Sequence, residues 1–112
     1  MIDYIKLMPE VMANPIWDID GKMISWIDFN CPDDHLLNKL VVWNYECELY
    51  SDTFGNSHSD GLYMRGLALA KYIKHYYPTA IVAYYFDETH PLVNIETGEP
   101  MWKVIKGLSN ES

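Results

Sequence analysis

The chain has 112 residues, 49% of them apolar and 21% charged, which places it among globular domains able to bury a core without staples. Sixteen acids against eight bases give a net charge of −8, which argues against nucleic acid as a direct partner, because a phosphate backbone is held by lysine and arginine stripes. No apolar run approaches the length of a membrane span, and no basic segment followed by an apolar one opens the chain. A single cytoplasmic domain over residues 1–112, with residues 106–112 as a flexible tail and the two cysteines as reduced thiols, is therefore expected.

Ile2 to Met8 alternates as a strand does, with Ile2, Tyr4 and Lys6 on one side. IWDIDGKMISWIDF, residues 16–29, reads as a hairpin: Asp20-Gly21 suits a two-residue type I′ turn, which sets Trp17 opposite Ile24 and makes the MISWIDF arm a third strand. Pro15 and Pro32 punctuate the unit.

From Pro32 to about Phe54 the spacing predicts a helix. Pro32 fits a first helical position, Asn30 or Cys31 a cap, and Asp33 and Asp34 the positive end of the helix dipole. Leu36, Leu40, Trp43, Cys47, Tyr50 and Phe54 share one face at a 3.6-residue period. The opposite face carries Val42, Tyr45 and Leu49 among Asp34, Asn38, Glu46 and Asp52. Two readings of that second stripe stand: it is buried if the helix lies between sheet and second helix, or it is an exposed patch rimmed by carboxylates, the layout of a protein interface.

A polar stretch, GNSHSDG, leads to a second helix from about Gly61 to Tyr77, with Leu62, Gly66, Leu69, Ile73 and Tyr76 as its buried stripe. Glycine inside a helix costs about 1 kcal/mol against alanine, so Gly66 predicts a close approach by another element. AIVAYYF, residues 80–86, is apolar on both faces and reads as a central strand. LVNIE and MWKVI follow as two more strands around the turn TGEP. The expected fold is α+β, in the order β-β-β-α-α-β-β-β, with two main helices packed on a mostly antiparallel sheet.

The charge is uneven. Residues 28–60 hold seven acids and one base, whereas residues 61–77 hold Arg65, Lys71, Lys74 and no acid. Cys31, Asp33, Asp34 and His35, with His58 and Asp60 further on, offer metal-ligating atoms but not the paired spacing of a structural zinc site. Cys31 at a helix start is a place where a thiol pKa can fall, yet no oxyanion segment or nucleophile elbow accompanies it. Neither a cofactor nor an enzymatic reaction is expected.

Three stretches, WDIDGKMISW (Trp17 to Trp26), SDGLYMRGLALAKYIKHYYP (Ser59 to Pro78) and AIVAYYFDE (Ala80 to Glu88), together about a third of the chain, resemble a pattern of small bacterial immunity proteins. These are the antidotes encoded beside polymorphic toxins, including those of contact-dependent growth inhibition systems. The resemblance rests on scaffold and carries no functional residue position by position. It implies a cytosolic protein that binds the C-terminal toxin domain of a large effector, often a nuclease and often one that cleaves transfer RNA. An acidic antidote can cover a basic nuclease cleft by imitating phosphate charge. The candidate contacts are Asp33, Asp34, Glu46, Glu48, Asp52 and Asp60 as charges, Tyr45 and Leu49 as anchors, and His58 beside them. Arg65, Lys71 and Lys74 would repel a basic cleft, so their face should point elsewhere. The competing reading is a small acidic accessory or regulatory binding domain with no toxin partner.

Overall fold

The computed structural model describes residues 2–51, 59–87 and 90–100. It is α+β. Strand β1 (Tyr4–Leu7) and strand β2 (Ile16–Trp17) come first, then three helices, α1 (Trp26–Phe29), α2 (Asp34–Ser51) and α3 (Ser59–Tyr76), then β3 (Ile81–Tyr84) and β4 (Val93–Asn94). The four strands form one sheet in the order β2-β1-β3-β4, with β1 and β3 interior; for β3 this is the position that the doubly apolar AIVAYYF run predicts. The expected MWKVI strand and the 106–112 tail lie outside the described residues.

The sheet is mixed, not mostly antiparallel, and the strand order differs from the expected one. β1 pairs antiparallel with β2, β3 antiparallel with β4, and the central pair β1 and β3 runs parallel from Tyr4↔Ile81 to Leu7↔Tyr84. Parallel neighbours need a long crossover, and the three helices supply it. Alternation along each strand puts Ile5, Leu7, Ile16, Val82 and Tyr84 in the core, each at most 1% exposed.

The hairpin after β2 also departs from expectation. The amide of Gly21 donates to the Asp18 carbonyl at 3.1 Å and that of Asp18 to the Lys22 carbonyl at 2.8 Å, with Gly21 at φ 79°. This is a three-residue loop closed by a left-handed glycine, not a two-residue turn. Met23, not Ile24, therefore faces Trp17. The expected third strand ends there. The Ser25 hydroxyl accepts from the Asp28 amide at 3.1 Å, capping the single turn of α1, and Asn30 closes it in the left-handed region. Phe29 is thereby turned into the core and stacks on Tyr77 at 5.3 Å.

α2 begins two residues later than Pro32 because Asp33, not Asn30 or Cys31, is its cap: Oδ1 accepts from the amides of His35 at 3.0 Å and Leu36 at 3.2 Å. Its inner stripe is the predicted one as far as Cys47. Leu36, Leu40 and Trp43 are buried, and Cys47 packs against them half-buried. Only the backbone is described at Tyr50, and Phe54 lies outside the described residues.

α3 packs on β3 and α2 through Leu62, Gly66, Leu69, Ala70 and Ile73, with Tyr76 half-buried. Gly66 is the point of closest approach. An added Cβ would stand 2.5 Å from Cζ2 of Trp43 and 2.7 Å from Cζ of Tyr84. The same two rings anchor the preceding turn, Trp43 Nε1 donating to the Leu62 carbonyl and the Tyr84 hydroxyl to the Tyr63 carbonyl, each at 2.8 Å. Two large aromatic rings can cross the helix only where it has no side chain, and that offsets the helix-propensity cost of glycine.

Candidate protein-binding surface

The apolar stripe on the outer face of α2 is exposed. Val42, Tyr45 and Leu49 are 50%, 58% and 50% exposed, so the helix does not lie between sheet and second helix. Val41, one turn before Tyr45 at i, i+4, is exposed too and belongs to the same patch. The 3.6-residue period alone could have found it.

The patch continues off the helix. Asn44 donates from Nδ2 to the carbonyls of Glu10 at 3.1 Å and Ala13 at 2.8 Å, and its Oδ1 accepts from the Glu10 amide at 2.9 Å. That clamp holds the 10–13 loop against the side of α2 and presents Val11, 52% exposed, and Met12, 93% exposed. Met12 sits at φ 58°, a region costing a non-glycine residue about 1 kcal/mol. No short-range sequence signal marks a contact between residues this far apart.

The charged candidates divide. Asp34, in the first turn of α2, is exposed, and Glu48, half-buried, flanks Asn44 on the same helix. Glu46 is held in an ion pair with Arg65 of α3, so it borders the patch as half of a neutral pair. Asp33 is turned to the fold: besides capping α2, its Oδ2 accepts from the Tyr76 hydroxyl at 2.7 Å. That hydrogen bond, before the helix amides, holds the Asp33 carboxyl below its usual range, and raises the Tyr76 phenol in turn. Asp52 and His58 lie outside the described residues, and at Asp60 only the backbone, in the first turn of α3, is described. The structure thus brings Asp34, Tyr45, Glu46, Glu48 and Leu49 onto one helix surface and withdraws Asp33 from it.

Two of the three α3 bases have internal partners. Arg65 pairs with Glu46, and Lys74 donates to the carbonyls of Pro78 at 2.9 Å and Ala80 at 2.6 Å while lying 3.8 Å from Glu96. Lys71 is exposed.

Neither cysteine is primed for nucleophilic chemistry. Cys31 is buried and its thiol pKa is raised, first by burial and then by Asp33 and Asp34. Burial pushes Cys47 up to about 12. The lowered pKa expected at a helix start is thus reversed at Cys31, chiefly because the thiol is buried, which outweighs the hydrogen bond with the Asp33 backbone that would lower it. Among the described residues no three His, Cys, Asp or Glu side chains gather so that they could hold a metal ion, and no helix is long and apolar enough to cross a membrane.

Compared with known proteins, the chain matches no family model, no curated protein and no solved structure.

Proposed function

We propose that the protein is an immunity protein that binds a cognate toxin domain, a basic nuclease of the kind that cleaves transfer RNA, and neutralises it by occlusion. The observation that carries this reading is the exposed Val41, Val42, Tyr45 and Leu49 stripe on α2, bordered by Asp34 and Glu48. A half-exposed tyrosine amid aliphatic side chains is an anchor of the type that dominates interface energetics. Carboxylates at its edge favour a basic partner through association rate and register. The net charge of −8 adds long-range attraction to such a partner. The resemblance to immunity proteins supplies the partner class. The pairing of Arg65 with Glu46 removes one of the repulsive charges that stood against a basic cleft.

The test is a pull-down of the tagged full chain from its own host with salt raised stepwise, run beside the Tyr45→Ala/Leu49→Ser double variant. One basic effector domain, retained by the native chain and weakened at least tenfold by the variant, is expected. Equal retention by both chains would move the interface off α2, and recovery of no specific protein from cells expressing the neighbouring gene would end the toxin reading.

A further inference from the structure

A cleft of about 290 Å³ opens between the start of β1, the hairpin loop and α1. It shares no residue with the outer face of α2. Its lining is mixed: Ile2, Tyr4, Ile19, Met23 and Ile24 share it with three carboxylates, Asp3, Asp18 and Asp28. Its volume is at the small end of the range for ligand sites, about 300 Å³ upward, and leaves room for a single long side chain.

The chemistry of the lining selects that side chain. Three carboxylates repel an anion. Among the described residues, no ion pair engages any of the three. Asp18 spends Oδ1 on the amides of Asp20 and Lys22, each at 2.9 Å, which fixes it in place. Lys6 and Lys22, the bases nearest to them in sequence, form no ion pair with any of the three. A metal ion is disfavoured by the absence, among the described residues, of any three ligands close enough together.

An occupant must therefore carry a cation on an apolar stem. Arginine meets both demands better than lysine. Its guanidinium is planar and weakly hydrated, offers five donors in a fork that suits more than one carboxylate, and lies flat against aliphatic and aromatic walls. Its methylenes replace water along those walls. An ammonium would surrender more hydration and use fewer acceptors. The surroundings are shaped for a protein rather than for a free cation. Ile19 is 71% exposed, Met23 47% and Ile27, beside Asp28 on α1, 87%, an apolar collar that a second protein surface would cover.

We propose that this cleft receives an arginine side chain presented by a protein partner. The proposal does not depend on the toxin reading: the cleft would take such a side chain from any basic protein, and a nuclease domain is one source.

The experiment is a titration of the ¹⁵N-labelled full chain with the peptide acetyl-Gly-Arg-Gly-amide, followed by amide shifts. The same peptide with citrulline, isosteric but uncharged, and with lysine serve as comparisons. Saturable shifts at Ile19, Met23, Ile24 and Asp28 with the arginine peptide, at least tenfold weaker with citrulline and clearly weaker with lysine, are expected. Asp3→Asn/Asp28→Asn should lose about tenfold in affinity while the rest of its spectrum is unchanged. Asp3→Asn alone, at an exposed position, gives a smaller loss in the same direction if the double variant folds poorly. No saturable shift, equal binding of the citrulline or lysine peptide, or shifts centred on α2 would overturn the proposal.

Discussion

The two faces of α2 are made of the same kinds of residue and end in opposite environments. On the inner face Leu36, Leu40 and Trp43 are at most 3% exposed, whereas on the outer face Val42, Tyr45 and Leu49 are each half exposed or more. What separates them is the partner. The inner face meets a helix with a glycine where the indole must pass and a carbonyl where its N–H must donate. The outer face carries the loop clamped by Asn44 and touches α3 at its border through the Glu46–Arg65 pair, and its apolar stripe stays exposed. Apolar residues that folding does not bury still cost solubility, so their grouping on one surface needs a reason other than stability. Binding is such a reason.

The strongest way to break this comparison is to truncate one aromatic on each face. Trp43→Ala should lower stability by about 3–5 kcal/mol, through lost packing and the unpaired Leu62 carbonyl, and measurable unfolding at room temperature is the expected outcome. Tyr45→Ala should leave chemical denaturation within about 0.5 kcal/mol of the native chain. Similar losses from the two substitutions would mean that the outer face contributes to the fold after all.

Glycine exchanges in opposite directions sharpen the same contrast at smaller amplitude. Gly66→Ala gains helix propensity but drives a methyl group into two fixed rings, and overpacking of that sort costs about 1–3 kcal/mol. A net loss is expected. Met12→Gly removes an exposed side chain from a left-handed backbone position and should raise stability by up to about 1 kcal/mol, the strain being larger than the entropy that glycine adds to the unfolded chain. Thermal unfolding of both variants reads the two signs. A Met12→Gly chain no more stable than the native one would remove the strain argument.

Much of this architecture was legible because it is local. The inner stripe of α2, the α3 stripe and the need for a close approach at Gly66 follow from a 3.6-residue period, and the interior position of β3 follows from a run apolar on both faces. The parallel pairing of β1 with β3 was not legible. Turn chemistry at Gly21 announces a hairpin, but nothing near Tyr4 or Ile81 announces a partner so distant in the chain. α1 was hidden for a related reason. Ser25 and Asn30 are good caps, yet the alternation around Trp26 fits a strand equally well, and burial of Phe29 against Tyr77 decides between them. In the candidate surface, the anchors on α2 were visible, and the loss of Asp33 to the fold was not, because its second partner is Tyr76 at the far end of α3.

That contact also yields the smallest and most selective prediction. Asn caps a helix about as well as Asp, so Asp33→Asn keeps the start of α2 and removes only the charge that the Tyr76 hydroxyl meets. In the native chain the Asp33 carboxyl lies below its ordinary value of 3.8 and the Tyr76 phenol above its ordinary value of 10.0, each chiefly because of the other. The depressed carboxyl contributes stability that is present above pH 3.8 and lost as pH falls through the folded value. The raised phenol contributes stability that is present below pH 10.0 and lost as pH rises through its own folded value. The difference in unfolding free energy between native chain and variant should therefore be a plateau across neutral pH that declines on both flanks. Both groups are solvent-screened, which keeps the plateau low. Denaturation curves that run parallel from acid to alkali would show that the Tyr76 hydroxyl gains nothing from the charge, and that Asp33 serves α2 as a neutral cap would.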